Sequence, residues 1–157
     1  MPERFSPATE KDLREAGWSP GRRAVPQFLR WRDELAAAGV DVSAAAEAVL
    51  LEFGDLTVGN SGEGEEVATS TVTINASGFG SSISGREWIR TIESAIGGPA
   101  CPIGSVDEGH AELFIGMTGR VFMVFAPKLI WDLGEPFDAA LERLLRGRSA
   151  LREWRLA

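Results

Sequence analysis

The residues best suited to chemistry surround the single histidine of the chain. Asp107 and Glu108 lie just before His110, and Glu112 lies two positions after it. An imidazole beside carboxylates can act as an acid and base pair or hold a cation. A zinc site, however, ordinarily uses several imidazole or thiolate ligands, and the chain has one histidine and one cysteine. The sequence therefore predicts a hydrophilic loop entering a strand, with no metal and no catalytic role.

Two glycine-rich stretches and one thiol are further candidates for chemistry. Residues 62–64 (Gly-Glu-Gly) and 78–80 (Gly-Phe-Gly) resemble fragments of phosphate-binding loops, but neither is followed by Lys and then Ser or Thr. Glu63 would also repel a phosphate. Cys101 has no cationic neighbour in sequence, which favours a buried and unreactive thiol. The sequence thus predicts neither a cofactor site nor a catalytic nucleophile.

Charge is distributed unevenly along the chain. The 157 residues include 16 Lys or Arg and 23 Asp or Glu, a formal charge of -7. Residues 41–116 contain 12 acidic residues against Arg86 and Arg90, which gives -10, whereas both ends are slightly basic. An acidic surface repels nucleic acid and anionic membranes and attracts a basic protein. The alternative is that these carboxylates form an ordinary solvated surface.

Size and composition suit one globular domain over residues 1–157, since 44% of the residues are hydrophobic. One cysteine rules out an internal disulfide, and the N-terminus lacks the apolar run of a signal peptide. No apolar run approaches the roughly 20 residues that a membrane helix needs. Together these features predict a cytoplasmic protein without a membrane span.

Three helices are predicted in the N-terminal third. Ser6 and Ser43 each precede a helical run and can cap it, and a glycine follows each of the three runs. Apolar residues at helical spacing define the inward face of the second helix: Phe28, Leu29, Trp31 and Leu35. The predicted helices span residues 7–16, 26–38 and 44–53.

The rest of the chain combines strands with two helices. β-branched residues favour strands at 56–58 and 67–74, and a hairpin is predicted from 111–117 and 121–125. Ser84 begins a capping box for one helix. A second helix, with Pro136 in its first turn, ends at Gly147 and is followed by one further turn at Leu151 and Trp154. Tryptophans 18, 31, 88 and 131 are predicted to pack in the core. The sequence therefore predicts an α+β fold, with a mainly antiparallel sheet and helices at both chain ends.

Residues 16–23, which read Ala-Gly-Trp-Ser-Pro-Gly-Arg-Arg, combine a helix C-cap, a tryptophan that can fold back and a Pro-Gly turn. Arg4-Phe5 precedes this segment, and Glu52-Phe53-Gly54 follows it. In their order and spacing these motifs resemble the SUKH superfamily, and within it the third family of immunity proteins. The resemblance covers about residues 4–147 and includes Pro102-Ile103-Gly104, Gly119-Arg120-Val121-Phe122, Trp131 and Leu133-Gly134.

The resemblance implies an immunity protein of a bacterial polymorphic toxin system, which binds a cognate toxin domain and blocks it without catalysis. Many such toxins are nucleases with basic active-site surfaces. A basic toxin is the partner that the acidity of residues 41–116 would complement. The alternative is a regulatory adaptor of the same fold that recruits another protein or a peptide through its sheet.

The candidate partner-binding residues are six carboxylates of the acidic region, chosen by charge position. They occupy the glycine-rich loop of residues 59–66 and the segment before the predicted hairpin: Glu63, Glu65, Glu66, Asp107, Glu108 and Glu112. We expect the loop of residues 59–66 to be exposed, because a glycine-rich charged segment is poorly suited to a core. Opposed surface charge would then speed the encounter with a basic toxin.

Overall fold

A computed structural model describes residues 4–77, 83–125 and 129–155. These residues form five helices and a seven-stranded antiparallel sheet, which confirms the predicted α+β class. The helices are α1 (Pro7–Glu15), α2 (Val25–Ala37), α3 (Ala44–Phe53), α4 (Ile83–Ile96) and α5 (Phe137–Arg146). The strands are β1 (Thr57–Val58), β2 (Val72–Ile74), β3 (Ala100–Val106), β4 (Ala111–Gly116), β5 (Val121–Phe125), β6 (Leu129–Gly134) and β7 (Arg152–Arg155).

The sheet is a meander in which each strand pairs with the next one along the chain, in the order β1 to β7. Residues directly opposite one another in neighbouring strands point to the same face of a sheet. The register therefore places one row of side chains across all seven strands on one face: Thr57, Thr73, Ser105, Glu112, Val124, Ile130 and Trp154.

Helices cover both faces of the sheet. The face opposite the row carries the main core, where Val49 and Phe53 of α3 line a groove together with Ile115 of β4. The rings of Phe53 and Phe137 lie 5.1 Å apart, so α5 packs beside α3. On the row's own face, Trp88 of α4 reaches β4. β3 and β4 are consequently buried along most of both faces, except at Ser105 and Glu112, which are only partly buried.

The predicted helix boundaries of the N-terminal third are confirmed to within two residues. The Ser6 hydroxyl accepts from the Thr9 amide at 3.3 Å, and the Ser43 hydroxyl accepts from Ala46 at 3.2 Å. One prediction was wrong: Leu29 is 40% exposed rather than part of the inward face of α2. Its position was assigned from spacing, which does not fix how wide a stripe the neighbouring helix covers.

Four aromatic positions were predicted to be core, and two of them are. Trp18 is 5% exposed and Trp31 is 1% exposed. Trp88 and Trp131 are only partly buried and pack against the edge of the core. In both, the indole N–H donates to a glutamate, Glu112 for Trp88 and Glu153 for Trp131. The polar edge of each ring is thus directed away from the interior.

Several strand predictions need correction. β3, β6 and β7 were not predicted, and the last was taken for a helical turn; Trp154 lies in β7 opposite Ile130. The predicted strand of residues 67–74 is reduced to Val72–Ile74, because the amide of Val67 donates to Gly147 instead of to a strand. Ser84 lies inside the first turn of α4 rather than before it. Residues 78–80, the second glycine-rich fragment, lie outside the described residues.

Candidate partner-binding surface

Residues 16–23 are held to α3 by hydrogen bonds to Glu52. The indole N–H of Trp18 donates to Glu52 Oε2 at 2.9 Å, and Arg22 Nη1 donates to the backbone carbonyl of Glu52 at 3.0 Å. Arg4 adds two hydrogen bonds to the same carboxylate, at 2.8 and 3.1 Å. The separate motifs of the N-terminal half therefore meet at one residue. We call Arg4, Trp18, Arg22, Glu52 and Asp138 the Glu52 hub.

Arg4 connects this hub to the C-terminal helix. Its guanidinium donates to both carboxylate oxygens of Asp138, at 2.9 and 3.0 Å. These hydrogen bonds, together with those to Glu52, raise the pKa of Arg4 above its usual range. A groove of about 310 Å³ runs beside the hub between α3 and α5. Because Glu52 and Asp138 both form ion pairs with Arg4, their negative charge is neutralised within the fold.

The acidic loop of residues 59–66 is held against the end of α5. The amide of Glu65 donates to the Arg146 carbonyl at 2.9 Å, and the amide of Glu66 donates to the Gly147 carbonyl at 2.8 Å. Gly64 lies so close to Gly147 that a Cβ on Gly64 would fall 2.6 Å from the Gly147 Cα. The predicted Gly-Glu-Gly fragment thus serves as a close backbone contact between loop and helix.

Two of the candidate carboxylates in this loop have partners inside the chain. Glu65 forms an ion pair with Arg148 at 3.3 Å, and that hydrogen bond raises the pKa of Arg148. Glu66 Oε1 accepts from the Ser149 amide at 3.1 Å. Sequence reasoning missed these pairings because Arg148 and the Ser149 amide each lie 83 positions from the carboxylate that they contact. Folding therefore brings a basic residue of the C-terminal segment onto the acidic middle region, so the charges are less separated in the structure than along the sequence.

Asp107 joins the two candidate clusters. Its carboxylate Oδ1 accepts from the Thr71 amide at 2.9 Å and from the Ser61 hydroxyl at 3.4 Å. Asp107 and Glu108 adopt φ values of 50° and 58°, in the left-handed region that tight turns use. The imidazole Nδ1 of His110 contacts the Asp107 carbonyl within the same turn. The turn between β3 and β4 is consequently fixed beside the acidic loop.

His110 lies in an exposed turn that enters β4, as predicted. Within the described ranges, no group of three or more His, Cys, Asp or Glu side chains is arranged to hold a metal ion. In the same part of the chain, no helix combines the length and apolar character needed to cross a bilayer.

Glu112 lies within β4, whereas the other five candidates lie in the acidic loop or in the β3–β4 turn. It points to the sheet face that carries α4, and its Oε1 accepts from the Trp88 indole N–H at 2.8 Å. Burial raises the pKa of Glu112, and the Trp88 hydrogen bond offsets this only in part. Within the described residues no cation forms an ion pair with Glu112. A cation placed beside Glu112 would favour the ionised carboxylate, which burial alone disfavours.

Glu63 and Glu108 are the two candidates that the fold leaves free. Both are exposed, and neither has a hydrogen bond or ion pair with any residue that the structure describes. Their segments are linked through Ser61 and Asp107. We call the surface that combines both segments the acidic corner, and its carboxylates are Glu63, Glu65, Glu66, Asp107 and Glu108.

Cys101 is a buried thiol, as predicted. It is 2% exposed, and its Sγ lies 3.5 Å from the Pro102 carbonyl oxygen. Burial, with a smaller effect of the nearby Glu93 carboxylate, raises the pKa of Cys101 to about 12. The thiol is therefore protonated and inaccessible at neutral pH.

Comparison with known protein families gives a match over most of the chain. The chain matches the SUKH-3 immunity protein family over residues 5–147, which include the acidic corner and every residue of the Glu52 hub except Arg4. The chain belongs to the SUKH-3 immunity protein family. Membership confirms the resemblance inferred from the motifs and implies a cognate toxin as partner. Searches of curated proteins and of solved structures gave no match.

Proposed function

We propose that this SUKH-3 protein neutralises a basic toxin domain, with a nuclease as the favoured class, by binding it and covering its active site or substrate channel. The observation that carries the proposal is the acidic corner, where Glu63 and Glu108 remain free beside partnered carboxylates. Free carboxylates on a fixed surface attract a basic partner without first breaking an internal ion pair. Family membership supplies the toxin as the class of partner.

Some carboxylates of the acidic corner anchor its backbone while others remain exposed, and this arrangement supports the proposal. Glu65 and Glu66 hold the loop to Arg148 and Ser149, and Asp107 holds the turn to Thr71. The free carboxylates are thus presented by anchored backbone. An interface that is already ordered loses less conformational entropy on binding than a mobile loop would. Neutralisation requires only that the toxin's active surface be covered, so no catalytic group is invoked.

The decisive experiment combines cell protection with binding kinetics. The toxin domain encoded beside the gene is co-expressed with the wild-type protein and with a Glu63→Lys, Glu108→Lys double variant. Charge reversal at exposed rim positions mainly changes the association rate, so we expect association slowed about tenfold or more at low salt. The salt dependence of association should flatten in parallel, and growth protection should weaken.

A Glu34→Lys, Glu47→Lys double variant is the matched control, because both residues are exposed and the net charge changes by the same amount. It should leave association within about twofold of wild type. If the Glu63→Lys, Glu108→Lys variant associates as fast as this control, the acidic corner is not the encounter surface. If the wild-type protein neither binds nor protects against the neighbouring toxin, the immunity proposal fails and the adaptor alternative gains support.

A further inference from the structure

One face of the sheet changes from polar to apolar halfway across the seven strands. The row defined above begins with three hydroxyl residues and Glu112 on β1 to β4, and it continues with Val124, Ile130 and Trp154 on β5 to β7. Val124 and Ile130 are completely buried. In contrast, Thr57 is exposed, and the rest of the polar half is only partly buried. We call Thr57, Thr73, Ser105 and Glu112 the polar sheet face.

The polar sheet face is built as a surface rather than as a core. On each of its four strands the residues flanking the row are buried, so the alternation is apolar inside and polar outside. Thr57 Oγ1 and Thr73 Oγ1 lie 3.2 Å apart and share one hydrogen bond. Helix α4 packs on the adjoining part of β3, and its Trp88 indole donates to Glu112, while the four polar residues remain exposed or partly buried.

Glu112 gives this surface its chemical preference. Trp88 donates to Oε1, while Oε2 has no donor among the described residues. The carboxylate lies directly opposite Ser105 in the register, so a group bound over the hydroxyls can reach it. Asp107 and Glu108, at the end of the same hairpin, add negative potential nearby. A cation with hydrogen-bonding capacity is the complement of this arrangement.

We propose that the polar sheet face is where the toxin docks, through a segment that bears a lysine or arginine. The cation of that segment pairs with Glu112, and its polar groups hydrogen-bond to the hydroxyls of Thr57, Thr73 and Ser105. The proposal rests on the immunity function proposed above and adds the docking face to it. The acidic corner then steers the encounter, and the adjoining sheet forms the bound contact.

A Ser105→Arg variant tests this docking face directly. The new guanidinium would lie across the strand from Glu112 and supply the cation internally, in competition with the toxin's own. Opposite charges in directly facing positions stabilise an antiparallel pair, so the fold should be retained. We expect the affinity for the toxin domain encoded beside the gene to fall at least tenfold, with an unchanged or raised thermal midpoint.

Thr91→Arg is the matched control, since Thr91 is an exposed residue on α4 and receives the same new side chain. Its affinity should stay within twofold of wild type. Glu112→Gln keeps an acceptor for Trp88 and removes the charge, so it should weaken binding and reduce its salt dependence without loss of the thermal midpoint. Should Ser105→Arg bind as tightly as Thr91→Arg, the docking face is wrong while the immunity function stands.

A labelled variant gives a second readout that does not depend on affinity. Because Cys101 is buried, a Thr57→Cys variant can be labelled at the new thiol alone with an environment-sensitive fluorophore. Toxin binding should shift its emission, whereas a label on Thr91→Cys should not respond. Equal responses at the two positions would overturn the docking face. Absence of any toxin binding by the unlabelled wild type would instead overturn the function on which it rests.

Discussion

The Glu52 hub and the acidic corner use the same kind of residue in opposite ways. Glu52 accepts from Trp18 and Arg4, and its side chain is only 23% exposed. Glu63 and Glu108 are exposed and have no partner among the described residues. All three lie in the segment of charge -10. Position in an acidic stretch of sequence therefore does not decide whether a carboxylate stabilises the fold or is available to a partner.

The difference lies in where the cations are. Arg4 comes from the N-terminal segment and Arg148 from the C-terminal segment, and both are brought onto carboxylates of the middle region. Pairing of this kind neutralises Glu52 and Glu65 and leaves the loop tip and the β3–β4 turn unneutralised. The comparison predicts that changes at the hub alter stability, whereas changes at the free positions alter binding.

The largest loss of stability is expected from Glu52→Ala. The substitution leaves the Trp18 indole N–H, a buried group, without its acceptor and removes one carboxylate from Arg4. Losing hydrogen bonds to a charged acceptor costs about 3 kcal/mol of unfolding free energy. Urea denaturation measures the change. Glu47→Ala, an exposed position on the same helix, should cost less than about 0.5 kcal/mol, and equal effects at both positions would remove the hub's special role.

A smaller loss is expected from Gly147→Ala, which tests the anchoring of the acidic loop. Gly147 has a φ of 70°, and a Cβ there would lie 2.2 Å from the Val67 carbonyl oxygen. Strain from the left-handed backbone and the clash together should cost about 2 kcal/mol. Gly97→Ala is the control, because Gly97 has a φ of 88° with open space around it. A cost no greater than that of the control would show that the loop contact contributes nothing.

Acid should weaken the contact between α1 and α5 through Glu142. Burial alone would raise the pKa of this carboxyl, but hydrogen bonds from Ser6 and Thr9 outweigh it and hold the pKa below its ordinary value. Glu142 therefore stabilises the fold fully above the ordinary carboxyl pKa, and this contribution is lost as the pH falls through the lowered value. Thermal unfolding between pH 7 and pH 3 should show a shallower acid decline for Glu142→Gln. An identical decline would exclude this contribution.

The smallest effect on stability is expected from the Glu63→Lys, Glu108→Lys variant. Because neither carboxylate has a partner among the residues that the structure describes, the unfolding free energy should stay within about 0.5 kcal/mol of wild type. Urea denaturation of the same preparations used for binding kinetics checks this. A large destabilisation would mean that the free positions support the fold, and the contrast with the hub would disappear.

Local signals in the sequence predicted the helices well and the strands poorly. Ser6 and Ser43 cap helices as expected, since a cap involves residues only three positions apart. β3 was missed because it contains Pro102 and Gly104, residues that are rare inside strands, and because both of its faces are buried. β7 was missed because its pairing with β6 is formed across α5 and leaves no period in the sequence.

The candidate site was predictable in composition but not in arrangement. Charge counting selected the six candidate carboxylates, but it could not distinguish Glu65, which is paired with Arg148, from Glu63, which has no partner among the described residues. The separation of Glu112 from the acidic corner likewise depends on strand register. No local pattern encodes these distinctions, because each depends on residues far apart in the chain.

The sequence by itself determined the α+β class, the family and the regional acidity, because each of these is a property of composition, short-range spacing or motif order. The tertiary structure alone decided which carboxylates have partners within the fold and which do not. It also decided that the hydroxyls of Thr57, Thr73 and Ser105 line up with Glu112 on one face. The physical reason is that ion pairs and sheet register join residues that only folding brings together.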